Sequence, residues 1–162
     1  MLAVAVDFGV PLEHVHVNHL SPEISAVLLR LRSLTSMYIS YHFNEAAIRG
    51  QAPLDIPLLE SLVPRLHLTR LELEFVMGGL TPLCIQSNTL RELVFGGKNI
   101  LPDRFLCPEL ITCRLEGYVR GQVSRDVLPR LLEGCPRLSG IDQFEPFSER
   151  RSRAAIDAVL RM

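Results

Sequence analysis

The feature that most limits what this chain can fold into is a short pattern, apolar-x-x-apolar-x-apolar, that returns along its length. It occurs at Leu12-Val15-Val17, Leu34-Met37-Ile39, Leu68-Leu71-Leu73, Leu90-Leu93-Phe95 and Leu110-Cys113-Leu115. A further occurrence, Leu138-Ile141, carries Gln143 where the third apolar residue belongs. The leading leucines stand 22, 34, 22, 20 and 28 positions apart. Self-similarity at periods of ~20–50 residues marks a repeat architecture, in which each unit buries its apolar face only by stacking on its neighbours. The end of each pattern alternates apolar and polar residues, as in TRLELEF, RELVFGG and TCRLEGY. That alternation is the period of a half-buried strand.

Between the strands the connections differ in kind. SPEISAVLLRL places Ser21 as an N-cap and Pro22 at the first helical position. In the long unit, Asn44 is placed to cap a helical segment ending at Gly50, and a second segment is predicted from about Ile56 to Val63. MGGLTPLCIQSNTL is too short and too rich in Gly, Pro and Thr for a good helix, which predicts an extended or irregular return. A helix is predicted from Ser124 to Glu133, closed by Gly134 and Cys135-Pro136, with Pro129 in its first turn. In the tail, Ser148 is a cap candidate and Ala155, Ile156, Val159 and Leu160 share one helical face. Residues 148–162 are therefore predicted to form a C-terminal capping helix over the last repeat.

Two stretches, LPRLLEGCPRLSGID and RFLCPELITCRLEG, resemble the repeats of F-box/leucine-rich-repeat proteins, and the periodicity extends this resemblance over nearly the whole chain. It implies an α/β fold: one leucine-rich repeat solenoid over residues 1–162, of about six irregular repeats. Its parallel sheet would be curved, with an irregular and short-helical convex side. The chain departs from that family's pattern in two ways. The Asn or Cys expected eight residues after each leading Leu is replaced by Leu20, His42, Val76, Lys98, Tyr118 and Pro146. No F-box is found, because the first forty residues already read as repeats. The resemblance thus implies the recognition half of a ubiquitin-ligase substrate receptor, or a shared scaffold alone, since fold does not dictate function.

In such an array the residues between the apolar positions line the concave face. Alignment of the repeats gives a central row of His16, Tyr38, Glu72, Val94, Arg114 and Asp142. Beside it stand His14, Ser36, Arg70, Glu92, Thr112 and Gly140, and on the other side Asn18, Ser40, Glu74, Gly96, Glu116 and Phe144. The predicted protein-binding residues are His16, Tyr38, Arg70, Glu72, Glu92, Val94, Arg114, Glu116 and Asp142. Arg70 and Glu92 are expected as lateral neighbours that pair, while Val94 and Gly96 form a low apolar middle open to a partner side chain.

Composition bounds the alternatives. Of 162 residues, 48% are hydrophobic and 22% charged, which suits a folded domain rather than a disordered chain. A net charge of −1 argues against electrostatic capture of nucleic acid or an anionic membrane, so neither is expected as a partner. No run of 18 apolar residues occurs, and the opening MLAVAVDFGVPLEH lacks a basic leader with a small-residue cleavage site. A cytoplasmic location is expected, with the nucleus as the alternative. The basic cluster SERRSR reads as a solvated helical face interrupted by Glu149 and Asp157.

Chemistry-bearing residues find bland roles in this reading. Cys113 occupies the position of Leu71 and Leu93, and Cys107 and Cys135 precede their strands at one offset, so all three are expected as small buried hydrophobes. Cys84 is read as apolar packing, and all four cysteines as free thiols. In HVHVNH, His14 and His16 share a strand face near His19, a spacing able to hold a transition metal, yet the simpler reading is a polar outward face with Val15 and Val17 turned inward. GGLTPL and FGGKN lack the spacing of a phosphate loop. The expectation is a non-catalytic interaction module without metal or cofactor that binds a protein or peptide. Its alternative is a structural subunit or fragment of a larger assembly, suggested by the apolar, uncapped beginning.

Overall fold

The computed structural model describes residues 11–42, 55–116 and 128–144. The fold is α/β, with one six-stranded parallel sheet whose spatial order follows the chain, β1 to β6. The strands are β1 (His14–Val17), β2 (Ser36–His42), β3 (Arg70–Gln86), β4 (Glu92–Leu106), β5 (Thr112–Glu116) and β6 (Gly140–Phe144). Helices α1 (Pro22–Leu28), α2 (Ile56–Leu62) and α3 (Leu128–Gly134) lie in the connections, and a 3-10 turn (Val63–Arg65) follows α2.

Register follows the apolar period. Val15, Met37, Leu71, Leu93, Cys113 and Ile141 are successive neighbours across the sheet, and Val17, Ile39, Leu73 and Phe95 form the next row. Leu34, Leu68, Leu90, Leu110 and Leu138 are buried ahead of their strands. A one-residue slip on any strand would turn its whole apolar set away from this core, at roughly 1.5–3 kcal/mol for each large side chain exposed.

Backbone bonds pin the point where each strand begins. The Glu13 carbonyl accepts the N–H groups of Thr35 and Ser36, the Thr35 carbonyl those of Thr69 and Arg70, and the Thr69 carbonyl those of Arg91 and Glu92. Arg91 then accepts from Ile111 and Thr112, and Ile111 from Ser139 and Gly140. Hydroxyls reinforce the ladder: Thr35 Oγ1 donates to Glu13 O at 3.3 Å, Thr69 Oγ1 to Thr35 O at 3.2 Å and Thr89 Oγ1 to Leu68 O at 2.8 Å.

Behind the sheet the connections lie in chain order. Ser21 caps α1 by accepting the Ile24 N–H at 3.3 Å, and Pro22 opens the helix as expected. Asp55 caps α2 through the Leu58 N–H at 2.8 Å, and Ile56, Leu59 and Leu62 turn one face of that helix to the core. Such caps contribute about 1 kcal/mol each, which a seven-residue helix needs because it is too short to persist without packing. The Glu60 carboxylate of α2 accepts the Cys84 N–H of β3 at 2.6 Å.

The next two connections contain no helix among the described residues. β3 and β4 run on beyond the common strand length, and their pairing resumes at Thr81 and Ile100 and continues to Gln86 and Leu106, with register shifts on the way. This agrees with the extended return predicted for 77–90. β4 continues in the same extended form, for which the sequence carried no separate expectation. Leu83, Ile85 and Phe105 on these continuations are buried in the same core. α3 then packs on β4: Arg130 pairs with Asp103 at 2.7 Å and the Gly134 carbonyl accepts the Cys107 N–H at 3.1 Å. Gly134 has no room for a side chain, since a Cβ there would lie 1.5 Å from the Phe105 carbonyl oxygen.

Pro129 lies in α3, and the stretch from Ser124 to Val127, on which its place within the predicted helix depends, lies outside the described residues. So do the helical segment proposed between Asn44 and Gly50 and the capping helix of residues 148–162.

Candidate protein-binding face

Alternation along each strand leaves one side of the sheet facing away from the core. Its central row is His16, Tyr38, Glu72, Val94, Arg114 and Asp142, each beside the next in the register. Arg70 and Glu92 are neighbours in the row before it, and Ser40, Glu74, Gly96 and Glu116 follow one another in the row after it. The predicted site residues are thus brought onto one continuous stretch of sheet. For Glu116 and Asp142 the described features are their backbone places alone.

Three strands are tied together at one end of this face by side chains that lie largely in the open. The rings of His16 and Tyr38 stack with centroids 4.4 Å apart at an interplanar angle of 26°. His16 Nε2 shares a hydrogen bond with Ser40 Oγ at 3.0 Å, and the Tyr38 hydroxyl donates to a Glu74 carboxylate oxygen. That bond, aided by partial burial and the negative charge of Glu74 and Glu72, pushes the Tyr38 phenol up to about 12. Tyr38 is accordingly a neutral hydrogen-bond donor at any physiological pH.

Toward the middle, Arg70 spans two carboxylates. Its guanidinium reaches Glu92 at 2.7 Å and Glu72 at 3.2 Å, with the three side chains 41%, 38% and 34% exposed. The lateral Arg70 and Glu92 pair expected from the alignment is present. Glu72 joins it from the same strand, two residues along, where side chains share a face.

Val94 differs from its expected role. It is on the outward row, yet only 3% exposed, and Gly96 is buried too. The low apolar middle is therefore covered, and Val94 offers a partner almost no surface. Conversely, Glu74 and Ser40 hold the aromatic stack but were not among the predicted binding residues. The signal that finds them is diagonal reach: residues one strand over and two positions along lie within range of long side chains.

His16 is engaged by Tyr38 and Ser40, and among the described residues no group of three or more His, Cys, Asp or Glu is placed to hold a metal ion. The glycines of GGLTPL and FGGKN lie within β3 and β4, not at the start of a helix where a phosphate would be cradled. SERRSR lies outside the described residues.

The cysteines are free, and Cys107, Cys113 and Cys135 are at most 1% exposed. Burial pushes the Cys113 thiol up to about 12, and the hydrogen bond between Cys107 and Cys135, together with burial, raises the Cys107 thiol. Cys107 Sγ also lies 3.7 Å from the Ile85 carbonyl oxygen, as a weak donor. Cys107 and Cys113, held protonated in an apolar interior, are poor nucleophiles, while the hydrogen bond from Cys107 lowers the Cys135 thiol. Cys84 is half-buried, a partial departure from the packing role expected for it.

Compared with known proteins, the chain matches no family model, no curated protein and no solved structure. Among the described residues, no helix is long and apolar enough to cross a membrane.

Proposed function

We propose that this chain is a non-catalytic leucine-rich repeat solenoid that binds a protein or peptide on the open face of its sheet. The observation that carries the reading is the side-by-side placement of His16, Tyr38, Glu72 and Arg70 on adjoining strands, with rings and charges presented outward. Parallel strands connected in chain order, the first five each preceded by a carbonyl that accepts two N–H groups, are what a solenoid of this kind requires. An aromatic and charged surface on a rigid framework suits macromolecular recognition, where Tyr and Arg are favoured.

Proximity labelling in the source cells tests this reading, comparing wild type with a Tyr38→Ala/Arg114→Glu variant whose fold has been verified. Loss of a small set of neighbours supports it. An unchanged set overturns it and favours a structural subunit that uses another surface. The finer form of the reading is substrate recognition for a ubiquitin ligase in the cytoplasm or nucleus. Direct binding of a purified ligase adaptor to this chain supports that form, and its absence removes it.

A further inference from the structure

The open face carries an aromatic pair fixed by polar bonds instead of burial. His16 is exposed and Tyr38 half-buried, yet each ring is tethered, one to Ser40 at 3.0 Å and the other to Glu74. Ordering the rings in advance removes part of the entropy cost of binding to them. The exposed Glu74 carboxylate stands at the phenol edge, and a carboxylate accepts several donors at once through about four lone-pair sites. A ring face beside a carboxylate attracts a cation twice over, by its quadrupole and by charge.

The surroundings carry the same sign. Glu72, Glu74 and Glu92 share this face with Arg70 and Arg114. Arg70 is matched by the two carboxylates it spans, 2.7 Å and 3.2 Å away. The balance left by these residues is negative, so a cationic segment is drawn to this face and an anionic one is repelled.

We propose that the segment bound here is a basic stretch of a partner protein, with a lysine or arginine side chain set over the Tyr38 ring and against the Glu74 carboxylate. This rests on the reading of the face as a protein-binding surface and names the chemistry of what binds. Tyr38 and Glu74 supply the contact, Ser40 and His16 position the ring, and the acidic rows steer the approach.

The test is an amide-resolved NMR titration of the full chain with a short peptide of alternating Lys and Ser, set against its Glu and Ser counterpart. Wild type is compared with Tyr38→Ala, Glu74→Gln and the off-face variant Glu109→Gln, each checked for an unchanged fold by its amide spectrum. The expected result is that the Lys peptide shifts amides around His16, Tyr38 and Glu74. Its affinity should fall roughly two- to fivefold in each face variant, fall with added salt, and hold in Glu109→Gln. Equal or tighter binding of the Glu peptide, or Lys-peptide binding indifferent to both face substitutions, overturns the proposal. If the Lys peptide fails while the Tyr38→Ala/Arg114→Glu variant still loses cellular neighbours, the face binds protein but not through a basic segment. If the peptide fails and the neighbours are also unchanged, this proposal and the reading beneath it fall together.

Discussion

Tyr38 on β2 donates its phenolic hydrogen bond to Glu74 on β3, its diagonal neighbour, although the residue directly beside it in the register is Glu72. Diagonal partners in a sheet lie beyond the reach of short side chains but within that of an aromatic. The bond fastens the two strands on the face away from the core.

The first consequence appears at alkaline pH. The folded-state phenol is raised to about 12, above the ordinary value near 10 of the unfolded chain. The stabilisation from this bond is therefore fully present below about pH 10 and is lost as the pH rises through about 12. Glu74→Gln should bring the Tyr38 titration down toward the ordinary range, as followed by the NMR signal of its ring carbon. An unmoved midpoint would show that Glu74 is not the cause.

Arg70 and its two carboxylates make a second, weaker fastening. All three side chains are between 34% and 41% exposed, so solvent and salt screen the attraction. A double-mutant cycle on Arg70→Ala and Glu92→Ala, read by urea unfolding, should give a coupling of about 0.2–1 kcal/mol that shrinks with added salt. A coupling of several kcal/mol would show that the pair is shielded from water.

The core row should be far less forgiving. Leu71 is fully buried between Met37 and Leu93, and Leu71→Ala should cost about 2–5 kcal/mol, while Leu71→Asp should abolish cooperative unfolding. Glu72→Ala, one residue on and facing outward, should cost no more than about 1 kcal/mol. Comparable tolerance at the two positions in circular dichroism melts would contradict the register.

These two neighbours also show how much of the structure is legible in the sequence. The apolar period alone predicts that Leu71 is buried, that Glu72 is not, and which residues flank each of them, because strand side chains alternate and parallel strands stack equivalent positions. The length of β3 and β4 is not legible. Gly78, Gly79 and Pro82 read as strand breakers, yet the strands resume pairing after register shifts that accommodate them. Nor does alternation reveal that Val94 is hidden: the pleat says on which side a residue leaves the sheet, not how its neighbours there cover it. The Tyr38 and Glu74 bond escapes for a related reason, since alignment orders residues in rows and this contact crosses them.

Gly134 is the position where the least change should do the most harm. A single added methyl would meet the Phe105 carbonyl oxygen at 1.5 Å, and neither backbone can yield without disturbing the bond from the Cys107 N–H to Gly134 O. Gly134→Ala should destabilise the protein by about 1–3 kcal/mol or more and speed hydrogen exchange at the Cys107 amide. Unchanged exchange would mean that α3 can slide on β4.

The thiols offer a separate check on the interior. A thiol reagent applied to the native protein should modify Cys84 first, because it is half-buried whereas Cys107, Cys113 and Cys135 are at most 1% exposed. The three buried thiols should react only as fast as the chain opens, measured by mass spectrometry of labelled peptides. Rapid modification of any of them would point to a reactive site and against a purely packing role.

The carbonyls from which the strands begin belong to Glu13, Thr35, Thr69, Arg91 and Ile111. An acid, two alcohols, a base and a hydrocarbon thus perform one task through the peptide group, to which the Thr35 and Thr69 hydroxyls only add. A constraint written in the main chain leaves the side chain at liberty: those positions can diverge without disturbing the spacing of the strands. Two proteins built on this ladder could share its geometry atom for atom and have almost no letters in common there.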